Sequence, residues 1–218
     1  MKFFLPLQAL FLMTALSAAP LSSRAGVVEI PNSGFEEPGI SDERNVSFDG
    51  VNGGMGPVAG WSSNEPSSGG VIRVDRHYPG RTGNNVLYLH GTGDQSFHTE
   101  NFDLGEELKS NTTYVLCFDV LRWAGVTLND TVIFRAGLFT GPDYESRQPL
   151  KQFEGALQLI DKTGVPADKV TVTLVVTTGT VAPGTRFWIG GDAFSNSADA
   201  HRAHFDEFRL YTGTPLQE

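Results

Sequence analysis

The chain has 218 residues, 39% of them hydrophobic, and its 16 basic against 25 acidic side chains leave a formal net charge of −9. That length suits one ordinary domain with a substantial core, and the acidic balance argues against nucleic acid or an anionic membrane surface as partner. Cys117 is the only cysteine, which excludes an internal disulfide, so stability has to come from a packed core or a bound metal.

Residues 1 to 25 read as a secretory signal peptide: an early Lys2, an apolar run through Phe11 and Leu16, and the small-x-small triplet Ser23-Arg24-Ala25. Pro6, Gln8 and Pro20 leave no run of about 20 apolar residues, so neither a transmembrane anchor nor any other membrane insertion is expected. Cleavage after Ala25 leaves a secreted single domain, residues 26 to 218. Lys2 and Arg24 are the leader's only charges, so the mature balance is 14 basic against 25 acidic, or −11.

Past the leader, 25 glycines and 12 prolines separate short runs rich in Val, Thr, Phe and Tyr, and no window carries a sustained helical stripe. In chain order, strands are expected near 27–30, 70–75, 85–91, 95–102, 112–123, 131–140, 155–161, 169–178, 185–191 and 204–211. "LGEELKS" (104–110) reads as a turn. So many short strands in one domain predict an all-β, two-sheet β-sandwich, most simply a jelly roll.

Strand parity sorts the faces. Tyr114, Leu116, Phe118 and Val120 share a core parity, as do Val132, Phe134, Ala136 and Leu138. The opposite parities hold Asp119, Trp123, Arg135, Arg186 and Trp188, which are expected to form one polar-aromatic face, the alternative being an outer face with ordinary cross-strand pairs. In "AHFDEFRLY", Asp206 shares the parity of Phe208 and Leu210, and Glu207 points to solvent. A carboxylate on a core parity is costly unless paired or holding a cation. If the first and last strands lie side by side, Glu36 of "EEPG" supplies a second carboxylate, and an all-oxygen cage of that kind suits Ca²⁺. A solvated Glu36 with Asp206 capping a backbone group is the alternative.

"NSGFE" (32–36), "GW" (60–61), "GNNVLYL", "LKSNTTYVLCFDV" and a terminal "FDEFRLY" occur here in an order that resembles the galactose-binding-like jelly rolls. These include cenC-type carbohydrate-binding modules and the similar calcium-dependent Stig cyclases of hapalindole biosynthesis. The resemblance implies the jelly-roll fold and a structural calcium near the chain ends, with Glu36 and Asp206 at the matching acidic positions and the backbone of Asn84 and Asn85 as further donors. No H-E-x-x-H, G-x-S-x-G or phosphate-binding loop occurs.

Two functions follow. The leading one is a non-catalytic carbohydrate-binding module: Trp61, Trp123 or Trp188 forms a platform for a sugar ring, and Asp119 and Arg135 bond its hydroxyls. The other is a Stig-type cyclase that folds a small hydrophobic indole-isoprenoid and protonates it from a buried acid of raised pKa, with Asp119 and Asp206 the candidates. A wide platform with polar flanks favours the binder; a closed aromatic pocket with a dry carboxyl group favours the cyclase.

Overall fold

The computed structural model describes residues 26–37, 39, 45–47, 58–64, 69–73, 80–91, 95–122, 131–159, 163, 167–193 and 201–213. Trp123 lies outside them. The strands are β1 (Gly26–Val28), β2 (Asn45–Ser47), β3 (Trp61–Ser62), β4 (Gly69–Arg73), β5 (Asn85–Gly91), β6 (Gln95–Thr99), β7 (Thr113–Leu121), β8 (Thr131–Thr140), β9 (Gln148–Gln158), β10 (Lys169–Thr177), β11 (Phe187–Ala193) and β12 (His201–Thr212). One 3₁₀ turn, Glu100–Phe102, follows β6. Among the described residues there is no α-helix, and no helix long and apolar enough to cross a membrane.

The strands form a two-sheet jelly roll. One sheet runs β10-β7-β12-β5-β4-β2 with β1 added alongside β12, and the other runs β3-β6-β11-β8-β9. The core parities are as expected: Tyr114, Leu116, Phe118 and Val120 meet Val132, Phe134, Ala136 and Leu138 in one buried cluster. Phe118, Phe134, Phe205 and Phe208 interlock there at centroid distances of 5.1 to 6.3 Å, the spacing at which edge and offset contacts add to area burial.

β9 begins seven residues before the sequence places it, at Gln148 rather than Gly155. The strand accommodates Pro149 because β9 is the edge of its sheet and the proline sits at a register shift opposite Phe139, a place where a missing N–H is tolerated.

The last strand departs from simple alternation. Phe205 pairs with Val120 and Asp206 with Asp119, but the next register point is Arg209 with Cys117. A bulge therefore occupies 206–209, and Glu207 takes φ 51° within it. The extra residue puts both Phe205 and Phe208 into the core, and it places Asp206 opposite Asp119 on the face away from the core. The expectation of a core-facing Asp206 is thereby corrected, although Asp206 is still only 1% exposed.

Candidate functional site

The N-terminal motif folds into a tight turn that the rest of the molecule closes over. Asn32 adopts φ 47°, a region Asn tolerates better than most residues. Its amide donates to the carbonyls of Glu37 (2.6 Å) and Ala59 (3.2 Å) and accepts from Glu37 N–H (3.0 Å). Phe35 is fully buried between Trp61 and Phe208. Trp61 is 2% exposed and its Nε1–H donates to the carbonyls of Pro31 (3.0 Å) and Asn32 (3.2 Å). This tryptophan is a core anchor, so the expected sugar platform at Trp61 is corrected: no ring face is open to a ligand.

The chain ends do meet. β1 pairs antiparallel with β12, and Glu36 and Asp206 both turn to the loop before β5. Glu36 Oε1 accepts the amides of Asn84 (2.9 Å) and Asn85 (3.0 Å), while Asp206 accepts those of Thr82 (2.7 Å) and Glu207 (2.9 Å). Asn84 and Asn85 thus offer Glu36 their N–H groups. A Cβ built on Gly34 would stand 3.2 Å from Glu207 Oε1 and 4.0 Å from Asp206 Oδ1. Burial, reinforced by the charges of Glu207 and Asp119, pushes the Asp206 carboxyl up to about 7 against the pull of its two amide donors. Among the described residues, no three His, Cys, Asp or Glu side chains gather as a metal cluster.

The expected polar-aromatic face divides between the sheets. Asp119 lies on the outer side of the seven-stranded sheet, 1% exposed, held by Lys169 Nζ (2.8 Å), Arg209 Nη2 (3.2 Å) and Thr171 Oγ1 (2.6 Å). Two cations and a hydroxyl thus occupy both of its oxygens. Arg135 and Trp188 do share a face, the outer one of the five-stranded sheet, but Trp188 is fully buried, so it too is no platform.

That outer face holds a cluster the sequence reading does not identify. Register stacks it in rows: Trp188 beside Phe139; His98, Gly190 and Gly137 in line; Ser96, Asp192, Arg135 and Glu154 in line. Alternation requires these residues to point away from the core once Phe97, Phe187, Ile189 and Phe134 point into it. The β8–β9 hairpin folds over them. An Asp143 cap on Ser146 (2.7 and 2.6 Å) shapes its turn, and Trp188 Nε1–H donates to Gly141 O (3.2 Å). This brings Tyr144 O–H onto Asp192 Oδ2. Arg147 lies 3.4 Å and Arg135 3.7 Å from the same oxygen, and the Arg147 guanidinium sits 3.9 Å over the Tyr144 ring.

Asp192 is 7% exposed, and its Oδ1 is buried with no hydrogen-bond partner among the described residues. Desolvation raises the carboxyl above the ordinary range and outweighs the Tyr144 hydrogen bond and the two guanidiniums, which pull it down. The Tyr144 phenol is pushed up in turn by burial and the Asp192 charge, so it remains a donor. Aromatic rings complete the surround: Trp188 stacks on Phe139 (4.8 Å) and meets Phe102 edge-on (5.2 Å), and Tyr144 is 6.3 Å from Trp188. The arrangement is a buried carboxyl with one unbonded oxygen among aromatic rings, suited to proton donation to an apolar molecule. Gly190 makes the packing possible: a Cβ there would stand 2.5 Å from Trp188 Cζ3 and 2.8 Å from Phe97 O. Gly190→Ala is expected to cost about 1 to 3 kcal/mol in urea unfolding and to displace the Trp188 ring, read as a shifted tryptophan emission.

A family model described as HpiC1 cyclase matches residues 26–189. The Stig cyclase Fisc from Fischerella sp. TAU, solved with (3Z)-3-(1-methyl-2-pyrrolidinylidene)-3H-indole, superposes with a TM-score of 0.63 at 20% identity, covering 88% of this chain and 100% of its own. A cyclase from Fischerella sp. TAU in complex with 4-(1H-indol-3-yl)butan-2-one gives 0.59 at 20% identity over 88% and 100%. The carbohydrate-binding module TmCBM61 gives 0.41 at 12% identity, over 82% of this chain and 94% of its own. No protein of curated function matches the chain. At these identities the structural likenesses speak for the fold; the family match, which spans most of the chain, backs the cyclase over the carbohydrate-binding module. This chain belongs to the HpiC1 cyclase family.

Proposed function

We propose that the protein is a Stig-type cyclase, acting on an indole that carries an isoprenoid chain, and that Asp192 is its acid. The observation that carries this reading is the Asp192 carboxyl itself: buried, raised, bonded by Tyr144 on one oxygen and bare on the other. A sugar-binding face needs exposed rings and open hydrogen-bonding groups. Trp61 and Trp188, at 2% and 0% exposure, offer none.

The chemistry is an isomerisation. Asp192 Oδ1 donates its proton to a substrate carbon, the cation that forms is attacked by a second unsaturated carbon to close a C–C bond, and the cyclised cation then sheds a proton. Rings around the site stabilise a transient cation through their faces, and their apolar walls would shield it from quenching by water. Tyr144 holds Asp192 in place and takes up the charge left on Oδ2. Arg135 and Arg147 offset the carboxylate between proton transfers. A ligand reaches Oδ1 by lifting the 141–147 hairpin, which Gly141, Tyr144 and Arg147 tie to Trp188 and Asp192. The test is incubation of the purified protein with an indole-isoprenoid panel, alongside a panel of neutral polysaccharides. A product isomeric with its substrate supports the cyclase, and polysaccharide binding without turnover contradicts it.

Calcium belongs to the same reading. Asp206 is a buried carboxylate whose charged neighbours, Glu207 and Asp119, are both acids, and it and Glu36 turn to the same loop before β5. An all-oxygen donor set of this kind selects Ca²⁺, and Glu36 and Asp206 would hold it. The ion supplies charge neutralisation that ties the first and last segments together. EDTA is expected to lower Tm by about 5 to 10 °C at a working calcium concentration near a hundred times Kd, with full recovery on adding Ca²⁺. Asp206→Asn is expected to remove that response, and an identical Tm with and without calcium contradicts the clasp.

A further inference from the structure

An isomerising cyclase must take back a proton, and Asp192 is not the only titratable group beside its own site. His98 lies on β6, one residue-pair along the outer face from Asp192, with Gly190 as its cross-strand neighbour. The Trp188 ring lies over that glycine and borders both His98 and Tyr144. The ring is 4% exposed and fixed on three sides: stacked on Phe102 at 4.0 Å and 19°, edge-on to Trp188 at 6.2 Å, and 6.5 Å from Tyr144. Its Nδ1–H donates to the Thr99 carbonyl at 3.0 Å. A carbonyl accepts only, so this bond fixes the tautomer and leaves Nε2 with a lone pair. Nε2 has no hydrogen-bond partner among the described residues.

Resting on the cyclase reading, we propose that His98 Nε2 is the general base that removes the proton from the cyclised cation. The step balances within the site. Asp192 Oδ1–H gives its proton to a substrate carbon and becomes a carboxylate; the new C–C bond forms; a C–H bond adjacent to the cationic centre breaks, its electron pair closing a double bond and its proton passing to Nε2. His98 is then an imidazolium and Asp192 a carboxylate, and between turnovers His98 releases its proton to solvent and Asp192 takes one up from it, which restores both. Phe102 lies against the ring in the geometry that stabilises the imidazolium. Burial lowers the His98 pKa, with the Thr99 carbonyl acting in the opposite sense, so the ring waits neutral. Tyr144 faces it from the β8–β9 hairpin, and the other charged groups on this outer face are Asp192 from β11, with Arg147 and Arg135 on its carboxylate, and the exposed Glu100 of the 3₁₀ turn.

The experiment compares wild type with His98→Gln on 3-geranylindole, alongside binding of 4-(1H-indol-3-yl)butan-2-one. Glutamine keeps a donor and acceptor of similar reach but cannot take a proton. kcat is expected to fall by about 10² to 10⁴, with Kd for the indole ketone held within a few-fold. The wild-type pH–rate profile is expected to show two ionisations and that of His98→Gln one. Free imidazole is expected to restore part of the rate to His98→Gly. Turnover in His98→Gln within a few-fold of wild type, or two ionisations retained, overturns the assignment of His98 while leaving the cyclase reading in place. A wild type that binds the indole ketone and forms no product contradicts the cyclase reading, and His98 falls with it.

Discussion

Asp192→Asn is expected to lower cyclisation of an indole-isoprenoid by about 10² to 10⁴, the usual worth of a positioned general acid, while the protein melts within a few degrees of wild type. Asparagine has the shape of the acid and still accepts from Tyr144, so the hairpin stays docked on the sheet. What it lacks is a proton to give. The pH dependence follows from the direction of the shift. A carboxyl raised by burial stays protonated to a higher pH than an exposed one, and the rate falls on the alkaline side as it ionises. Asp119→Asn is the contrasting case: it removes an acceptor that Lys169 and Arg209 share and is expected to affect stability without changing the pH profile. An Asp192→Asn protein that turns over at the wild-type rate contradicts the acid assignment.

Trp61→Ala is expected to be the most destabilising single change in the molecule. The side chain fills the space between Phe35, Phe97 and Phe208 at centroid distances of 5.1, 5.9 and 5.4 Å, and removing a buried tryptophan costs about 3 to 5 kcal/mol. The indole N–H also leaves behind two carbonyls, of Pro31 and Asn32, so the N-terminal turn loses its anchor as well as its packing. Against a typical total of about 5 to 15 kcal/mol, such a loss leaves the fold marginal. Urea denaturation reads it, and a midpoint shift corresponding to under about 1 kcal/mol contradicts the core placement.

The period-2 pattern made the sheets legible, and the reason is physical: when one face of a strand is buried, alternation fixes which residues face the core. Phe118 and Phe134 fall where parity puts them. Parity failed at 206–209 because a bulge adds a residue without a sequence mark. Glu207 adopts φ 51°, a conformation that glycine would have advertised and glutamate does not. The adjacency of the chain ends was legible from "NSGFE" and "FDEFRLY", and the pairing of β1 with β12 realises it. Which atoms face which was not, because the amides of Thr82, Asn84 and Asn85 carry no side-chain signature.

The Asp192 cluster escaped the sequence reading for a different reason. "WIGGDAF" looks like a strand running into a turn, and the partners of Asp192 arrive from 45 and 48 residues away on a hairpin. The available signal was the alternation Trp188, Gly190, Asp192, which places an acid on the same face as a tryptophan with glycine between. His98 had the same kind of signal, since Phe97 and Thr99 flank it on the opposite parity. Parity separates Arg135 from the core but cannot say which sheet a strand joins, and so Asp119 and Arg135 were grouped on one face although they lie on opposite sides of the sandwich.

The most direct test of the acid-promoted cyclase is turnover in D₂O. Purified protein with Ca²⁺ and 3-geranylindole is expected to give a cyclised isomer carrying one deuterium at carbon, because the proton that Asp192 delivers comes from exchangeable solvent and a different one is lost. Cyclisation with no deuterium at carbon, or no isomer at all from a folded, calcium-loaded protein that binds a neutral polysaccharide, contradicts it.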